Sequence, residues 1–336
     1  MSEKEINLNA PIPTQPIKTP DGQPSSEIID MGKHKAHLQS QTTGVSAAEL
    51  VDLILSKNQD ELLPWEKVTL PSLGLYYNGR MPNGVIEVRP MGLFADKIFA
   101  TARLTQTNQA LDKVFEMCVK FPDSTFDPLD LLTGDRLFLL FYLRGITHGN
   151  IYEFSITCPV ETCKQFSTHE YDLNRIGDSI KRPTFPSQPF KIILPYLSDI
   201  TNREFWVEAR YMTGRDGQII AQQQKFLNKA VGNSVRNADG KEVSGKAISI
   251  DQSIEQNMNL LISNVMGVTD RGKIQQFVSK LHSRDAATIR EIVRDTAPGV
   301  NFEVNISCPE CNHEMKIELP ITESFFRPKN SGTIRR

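Results

Sequence analysis

An α+β fold is predicted, a helical body carrying short β-hairpins, and three features of the sequence lead to it. Stretches with apolar residues three and four apart, such as Ser46–Leu63 and Ser283–Asp295, have the period of amphipathic helices. Short alternating runs, such as YEFSIT before Cys158 and NFEVNIS before Cys308, have the period of half-buried strands. Four of the five cysteines fall in two close pairs, 158/163 and 308/311, each between two such runs. That layout predicts a four-cysteine, zinc-ribbon-like element split by a long α/β insertion.

Composition narrows the classes of function first. With 38 Lys and Arg against 40 Asp and Glu, the net charge of −2 argues against a protein that coats nucleic acid. The longest apolar run, LFLLFYL at 137–143, is far short of the roughly 20 residues that span a bilayer. The start, MSEKEINLNAP, has no apolar segment after its charges, so no secretory signal and no membrane insertion are expected. Five cysteines in 336 residues are too few for a disulfide scaffold.

Residues 1–45 hold Pro11, Pro13, Pro16, Pro20 and Pro24 among Thr, Gln, Ser, Asn and Lys. Such a segment buries too little apolar area to offset ordering entropy. It reads either as a disordered tail or as an extended arm that orders on a neighbouring subunit. The region 46–150 is mainly helical. Ser46 and Glu49 form a capping box for the first helix, and Pro64 ends it. Short strands follow, with turns at Asn78-Gly79 and Asn83-Gly84. Helices are then predicted over Leu93–Leu104, Asn108–Val119 and Leu129–Arg144, with Asp127 as cap and Pro128 at the first position of the last.

Residues 151–172 and 300–326 are the hairpins around the cysteine pairs, and 173–299 is the inserted α+β region. Within the insertion, FKIILPYL and EFWVEARYM read as β-structure and Asp216–Val231 as a helix. The polar stretch 232–246 reads as a mobile loop. Three more helices are predicted near Ser253–Met266, Arg271–Leu281 and Ser283–Asp295, the last with Ser283 as N-cap and Arg284 and Asp285 in its first turn. The basic tail 327–336 carries Arg327, Lys329, Arg335 and Arg336 and reads as solvated, or as a contact for an acidic neighbour.

Cys158 and Cys163 enclose four residues (CPVETC), and Cys308 and Cys311 enclose two (CPEC). In a zinc ribbon two hairpin tips each give two thiolates to one tetrahedral ion, and a tight turn frees backbone N–H groups for the sulfurs. CPEC is the stronger half of the signal. Ordinary buried thiols, a disulfide, or a thioredoxin-like motif at CPEC are the competing readings. A reducing cytoplasm disfavours the second, and the strand-like NHEMKIEL after CPEC disfavours the third. His169 and His313 are near enough to substitute as ligands but read more simply as hairpin histidines. Cys118 reads as a core thiol. Four thiolates leave no open coordination position, so a Zn2+ on Cys158, Cys163, Cys308 and Cys311 would be structural.

No catalytic pattern accompanies the cysteines. The sequence has no phosphate-binding glycine loop, no HExxH and no GxSxG elbow. Asp127, Asp130 and Asp135 read as helix caps and as the polar face of LDLLTGDRLFLLFYL rather than as an acid–base cluster. An enzyme is not expected.

Three blocks carry a family resemblance. They are VTLPSLGLYYNGRMPNGVIEVRPM, LLTGDRLFLLFYLRGITHGNIYEFSITCP and SRDAATIREIVRDTAPGVNFEVNISCPECNHEMKIELPITESFFRP. Their "LPS-G-Y" turn, "VRPM" strand end, "LR-x-x-x-x-G" corner, "SRD" helix start, "PGV" turn, CxxC knuckle and terminal "FF-x-P" resemble baseplate proteins of contractile-tailed, T-even-type phages. The four-residue first knuckle departs from the two residues usual in that family. The resemblance implies a structural component of the tail baseplate near the central hub, acting through contacts with other baseplate, hub and tail proteins. It would be made and assembled in the host cytoplasm and reside in the virion. A non-virion factor that assembles the hub is the alternative, and a zinc-ribbon nucleic-acid binder is the second alternative.

Overall fold

The structure, a computed structural model, describes residues 46–56, 62–101, 107–232, 248–321 and 323–326. The arm 1–45, most of the loop 232–246 and the tail 327–336 lie outside the described residues. The fold is α+β: ten α-helices and several small antiparallel sheets among the described residues.

The first helix, α1 (Ala47–Ser56), starts on the expected capping box, with the Ser46 N–H donating to Glu49 Oε2 at 3.0 Å. A three-stranded sheet follows from β1 (Glu66–Thr69), β2 (Val85–Val88) and β3 (Val119–Lys120), in the order β1-β2-β3. The β1–β2 connection needs left-handed backbone at Asn78, Gly79, Asn83 and Gly84, which these residue types supply. At Gly74 the need is steric as well, because a Cβ there would lie 1.9 Å from the Met81 carbonyl oxygen. Two helices, α2 (Leu93–Thr101) and α3 (Thr107–Cys118), lie between β2 and β3.

The helix α4 (Thr133–His148) runs through the core, and Phe138, Leu139, Phe141 and Leu143 are all at most 2% exposed. It starts four residues later than predicted. Asp127 caps a separate 3-10 turn over Pro128–Asp130, accepting the Leu129 N–H at 2.9 Å, and the chain then extends before α4. Beyond α4 come a hairpin of β4 (Ile151–Thr157) and β5 (Phe166–Asp172), a 3-10 turn over Leu173–Ser179, and the short β6 (Ile180–Lys181).

Within the insertion β7 (Phe190–Ile193), β8 (Trp206–Ala209) and β9 (Ile262–Val265) form a second three-stranded antiparallel sheet. Two expectations fail here. The PYL of FKIILPYL opens a helix, α5 (Pro195–Thr201), because Pro195 suits a first helical position and a distant carboxylate caps it. The helix predicted over 253–266 ends early: α7 (Ile248–Leu261) gives way to β9, where Ile262, Asn264 and Val265 pair with β8 and the register shifts at Ser263. The helix α6 (Gly214–Gly232) agrees with its prediction, as does α8 (Arg271–Val278).

At α9 (Ser283–Thr296) the N-cap is His282, whose ring Nδ1 accepts the Arg284 N–H at 3.2 Å, and not Ser283. Asp285 is fully buried and accepts the N–H groups of Tyr196 and Leu197 at 2.8 and 3.1 Å, so it caps α5 across the fold. The chain then forms β10 (Gly299–Val300), which pairs with β6, and a hairpin of β11 (Glu303–Ser307) and β12 (Glu314–Glu318). The last described helix, α10 (Glu323–Phe326), sets Phe325 against Phe141 and Tyr152, with ring centroids 4.7 and 5.1 Å apart.

The start of α4 is where the distant blocks meet. A Cβ on Gly134 would lie 2.0 Å from the Pro298 carbonyl oxygen and 2.9 Å from Gly299 Cα, so helix and turn touch backbone to backbone. Asp135 is fully buried rather than on a polar face: it accepts the Ser72 N–H at 3.0 Å and the Tyr77 hydroxyl at 2.5 Å. Arg136 pairs with the buried Asp112. At the other end of α4, Arg144 is 2% exposed and donates to the Gly149 carbonyl at 2.7 Å, which fixes the turn from helix into β4.

Candidate metal centre

The two cysteine-bearing hairpins are separate two-stranded sheets, so no ladder of backbone hydrogen bonds joins them. Each ladder ends in the same way. Beyond the Thr157–Phe166 pair, the Cys158 N–H donates to the Gln165 carbonyl at 2.8 Å. Beyond the Ser307–Glu314 pair, the Cys308 N–H donates to the His313 carbonyl at 3.0 Å. The first cysteine of each pair is thus the last residue held by its hairpin.

Both turns then close through a left-handed residue directly after the second cysteine, Lys164 at φ 48° and Asn312 at φ 54°. Asn tolerates that backbone; Lys pays about 1 kcal/mol for it. The two extra residues of CPVETC are taken up inside the turn, where the N–H groups of Cys163 and Lys164 both reach the Val160 carbonyl at 3.0 Å. The longer spacing therefore preserves the way the knuckle ends.

The sulfurs of Cys158, Cys163, Cys308 and Cys311 all lie within 4.8 Å of one another. Two contacts run between hairpins: Cys158 to Cys311 and Cys163 to Cys308, each 3.7 Å. A disulfide would require about 2.05 Å. Four sulfurs about 2.3 Å from one tetrahedral ion lie about 3.8 Å apart, close to the spacing seen. This group can hold a metal ion.

Electrostatics favour a cation at the centre. The N–H groups of Cys311 and Glu310 point at the Cys308 sulfur and bring its pKa down to about 7. At Cys163 the N–H of Gln165 acts in the same sense, but burial and the crowding of Cys311, Cys308 and Cys158 leave the thiol pushed up to about 12. Burial also raises Cys158, against the N–H of Val160. Four thiols this close do not all ionise unaided, and a dication would supply the compensating charge.

The group is shielded on the hairpin side. Cys158 and Cys308 are buried with Met315, and Ile156, Val160, Ile306 and Ile317 pack around them, while Cys311 is exposed. His169 and His313 are not part of the group. His169 lies 2.8 Å from the Ser167 hydroxyl and stacks on Phe154, and His313 contributes its carbonyl to the ladder. Cys118 is 2% exposed, and burial pushes its thiol up to about 11, as suits an inert core residue.

The acidic residues singled out in the sequence do not gather into a second site. Asp127 and Asp130 both face Arg215, at 2.8 and 2.9 Å, while Asp135 is enclosed in the core. Sequence reasoning gave no role to Arg144 or to the capping function of Asp285. The arginine of the LR-x-x-x-x-G corner, directly after the apolar run, and the acid after "SR" were their signals.

Four cysteines at the tips of two hairpins, drawn from both ends of a long insertion, thus form a group that could hold a metal ion within an α+β fold. A family model described as T4 bacteriophage base plate protein matches residues 75–327. The chain belongs to that family, and its role is that of a structural protein of a phage baseplate, working among other phage tail proteins. The match covers both cysteine pairs. No curated protein and no solved structure matches the chain. No described helix is long and apolar enough to cross a membrane.

Proposed function

We propose that this chain is a structural component of a contractile tail baseplate near its central hub, held in shape by Zn2+ on Cys158, Cys163, Cys308 and Cys311. The observation that carries the metal is the 3.7 Å spacing of sulfurs from two hairpins that share no sheet. Thiolates alone select zinc over magnesium or calcium, which take oxygen ligands. The ion's contribution is to the fold: it joins 151–172 to 300–326 at both ends of the insertion 173–299. The arm 1–45 is proposed to lie on a neighbouring subunit.

The family match supports the baseplate role, and the hub position rests on the resemblance carried by the three sequence blocks. Particles carrying a tag on this chain, imaged as intact tails, are expected to show it next to the central tube. Its absence from purified particles would make it an assembly factor instead. For the metal, elemental analysis is expected to give about one zinc per chain. A strong chelator should lower the melting temperature, since structural zinc contributes to folding. A metal-free protein with an unchanged melting curve would refute the proposal.

A further inference from the structure

The helix α1 has an apolar surface that no described residue buries. Among its ten residues none is buried, and Val51, Ile54 and Leu55 are 57%, 41% and 77% exposed. At 100° per residue, Ala47, Ala48, Leu50, Val51, Leu53, Ile54 and Leu55 cover roughly 220° of the circumference. The remaining strip holds Glu49, Asp52 and Ser56, two acids and no base. Isolated helices shorter than about 12–15 residues are marginal in water, so a helix this apolar needs a surface to lie on. Its capping box is nonetheless complete, with the Glu49 N–H donating back to Ser46 Oγ at 3.4 Å. The helix is preformed but uncovered.

A matching surface exists on the same chain and is empty of it. The outer face of the β1-β2-β3 sheet carries a groove of about 440 Å³. Its floor and wall include Val85, Phe121 and Pro122, and its rim carries Lys67, Lys120 and Glu87. Register places Glu87 between the two lysines, opposite Lys67 on β1 and Lys120 on β3, so the rim is positive by one charge. Lys120 is held over the Trp65 ring, 3.8 Å from its centroid, which fixes one positive charge at the edge. An apolar floor with a basic rim complements an apolar helix with an acidic strip.

We propose that α1 of one copy lies in the groove of a second copy. Among the described residues helix and groove are both open, although the nine residues from 57 to 65 that separate α1 from β1 could span about 33 Å. The pairing is head-to-tail: each copy offers one helix and one groove, so the contact propagates from copy to copy or closes into a ring.

Mixing two variants of the full chain tests this. One carries Leu55→Cys and the other Val85→Cys. Mild oxidation of the mixture is expected to give a disulfide-linked dimer of twice 37.9 kDa that neither variant gives alone. A chain carrying both substitutions that closes only on itself at high protein concentration would overturn the proposal in favour of docking within one molecule. In sedimentation, the unmodified protein is expected to gain mass with concentration. The E49K/D52K variant should stay at single-chain mass and associate again when mixed with K67E/K120E. Circular dichroism verifies that each variant is folded. An unmodified protein that stays at single-chain mass at every concentration, with no mixed disulfide, would also overturn the proposal.

Discussion

Replacing Asp135 by Asn should change how stability depends on pH. Asp135 is completely buried, and burial raises its pKa from 3.8 to about 6 despite the hydrogen bonds from Ser72 and Tyr77 and the nearby Arg182 charge. A raised carboxyl pKa means the fold prefers the protonated form. The associated stability is complete below the unfolded value near 4 and is lost as pH rises through 6. A shift of roughly two units corresponds to about 3 kcal/mol, of which about 2 kcal/mol is lost between pH 4.5 and 7.5. Asn keeps an acceptor for the Ser72 N–H but carries no charge. Urea unfolding of both proteins at pH 4.5, 6.0 and 7.5 is therefore expected to show the variant gaining about 2 kcal/mol on the parent across that range. Parallel pH profiles would mean that Asp135 is not protonated preferentially in the fold, and the reasoning would fail.

Gly134→Ala should cost about 3 kcal/mol, because the new Cβ meets the Pro298 carbonyl and Gly299 Cα, backbone atoms that cannot turn aside. An unchanged urea midpoint would show that the helix and the turn do not touch. Asp285→Ala leaves the Tyr196 and Leu197 N–H groups without their buried acceptor. A loss of about 3 kcal/mol is expected, together with faster amide exchange at these two residues, and Asn at the same position should recover part of it. Normal protection at both amides would sink the capping assignment. Phe325→Ala should cost about 3–5 kcal/mol in thermal unfolding, since the ring is fully buried between Phe141 and Tyr152. A loss below about 1 kcal/mol would mean that the terminal aromatics are not part of the core.

The features written locally in the sequence were the ones it made legible. Ser46 and Glu49 are three residues apart and form the capping box, and the Asn-Gly pairs take the left-handed backbone expected of them. The cysteine pairs were legible for the same reason: spacing plus alternation defines a hairpin tip without knowledge of its partner. Features decided at long range were not legible. PYL has the composition of a strand, but Asp285, 89 residues beyond Tyr196, supplies the acceptor that makes it a helix. NLLISNV continues a helical pattern, yet β8 offers Ile262 to Val265 an open edge. The three aspartates at 127, 130 and 135 look alike in sequence. Only the Tyr77 hydroxyl and the Ser72 N–H, some 60 residues earlier, separate the buried one from the two that face Arg215.

The cysteine group also has a consequence for the chain as a polymer. With an ion on its four sulfurs, it closes a ring of roughly 150 residues, from Cys158 to Cys311. By loop-closure entropy such a ring removes about 5 kcal/mol of freedom from the unfolded chain. A single peptide cut anywhere between Lys164 and Ser307 would then leave two fragments joined through metal, travelling as one particle until a chelator releases them.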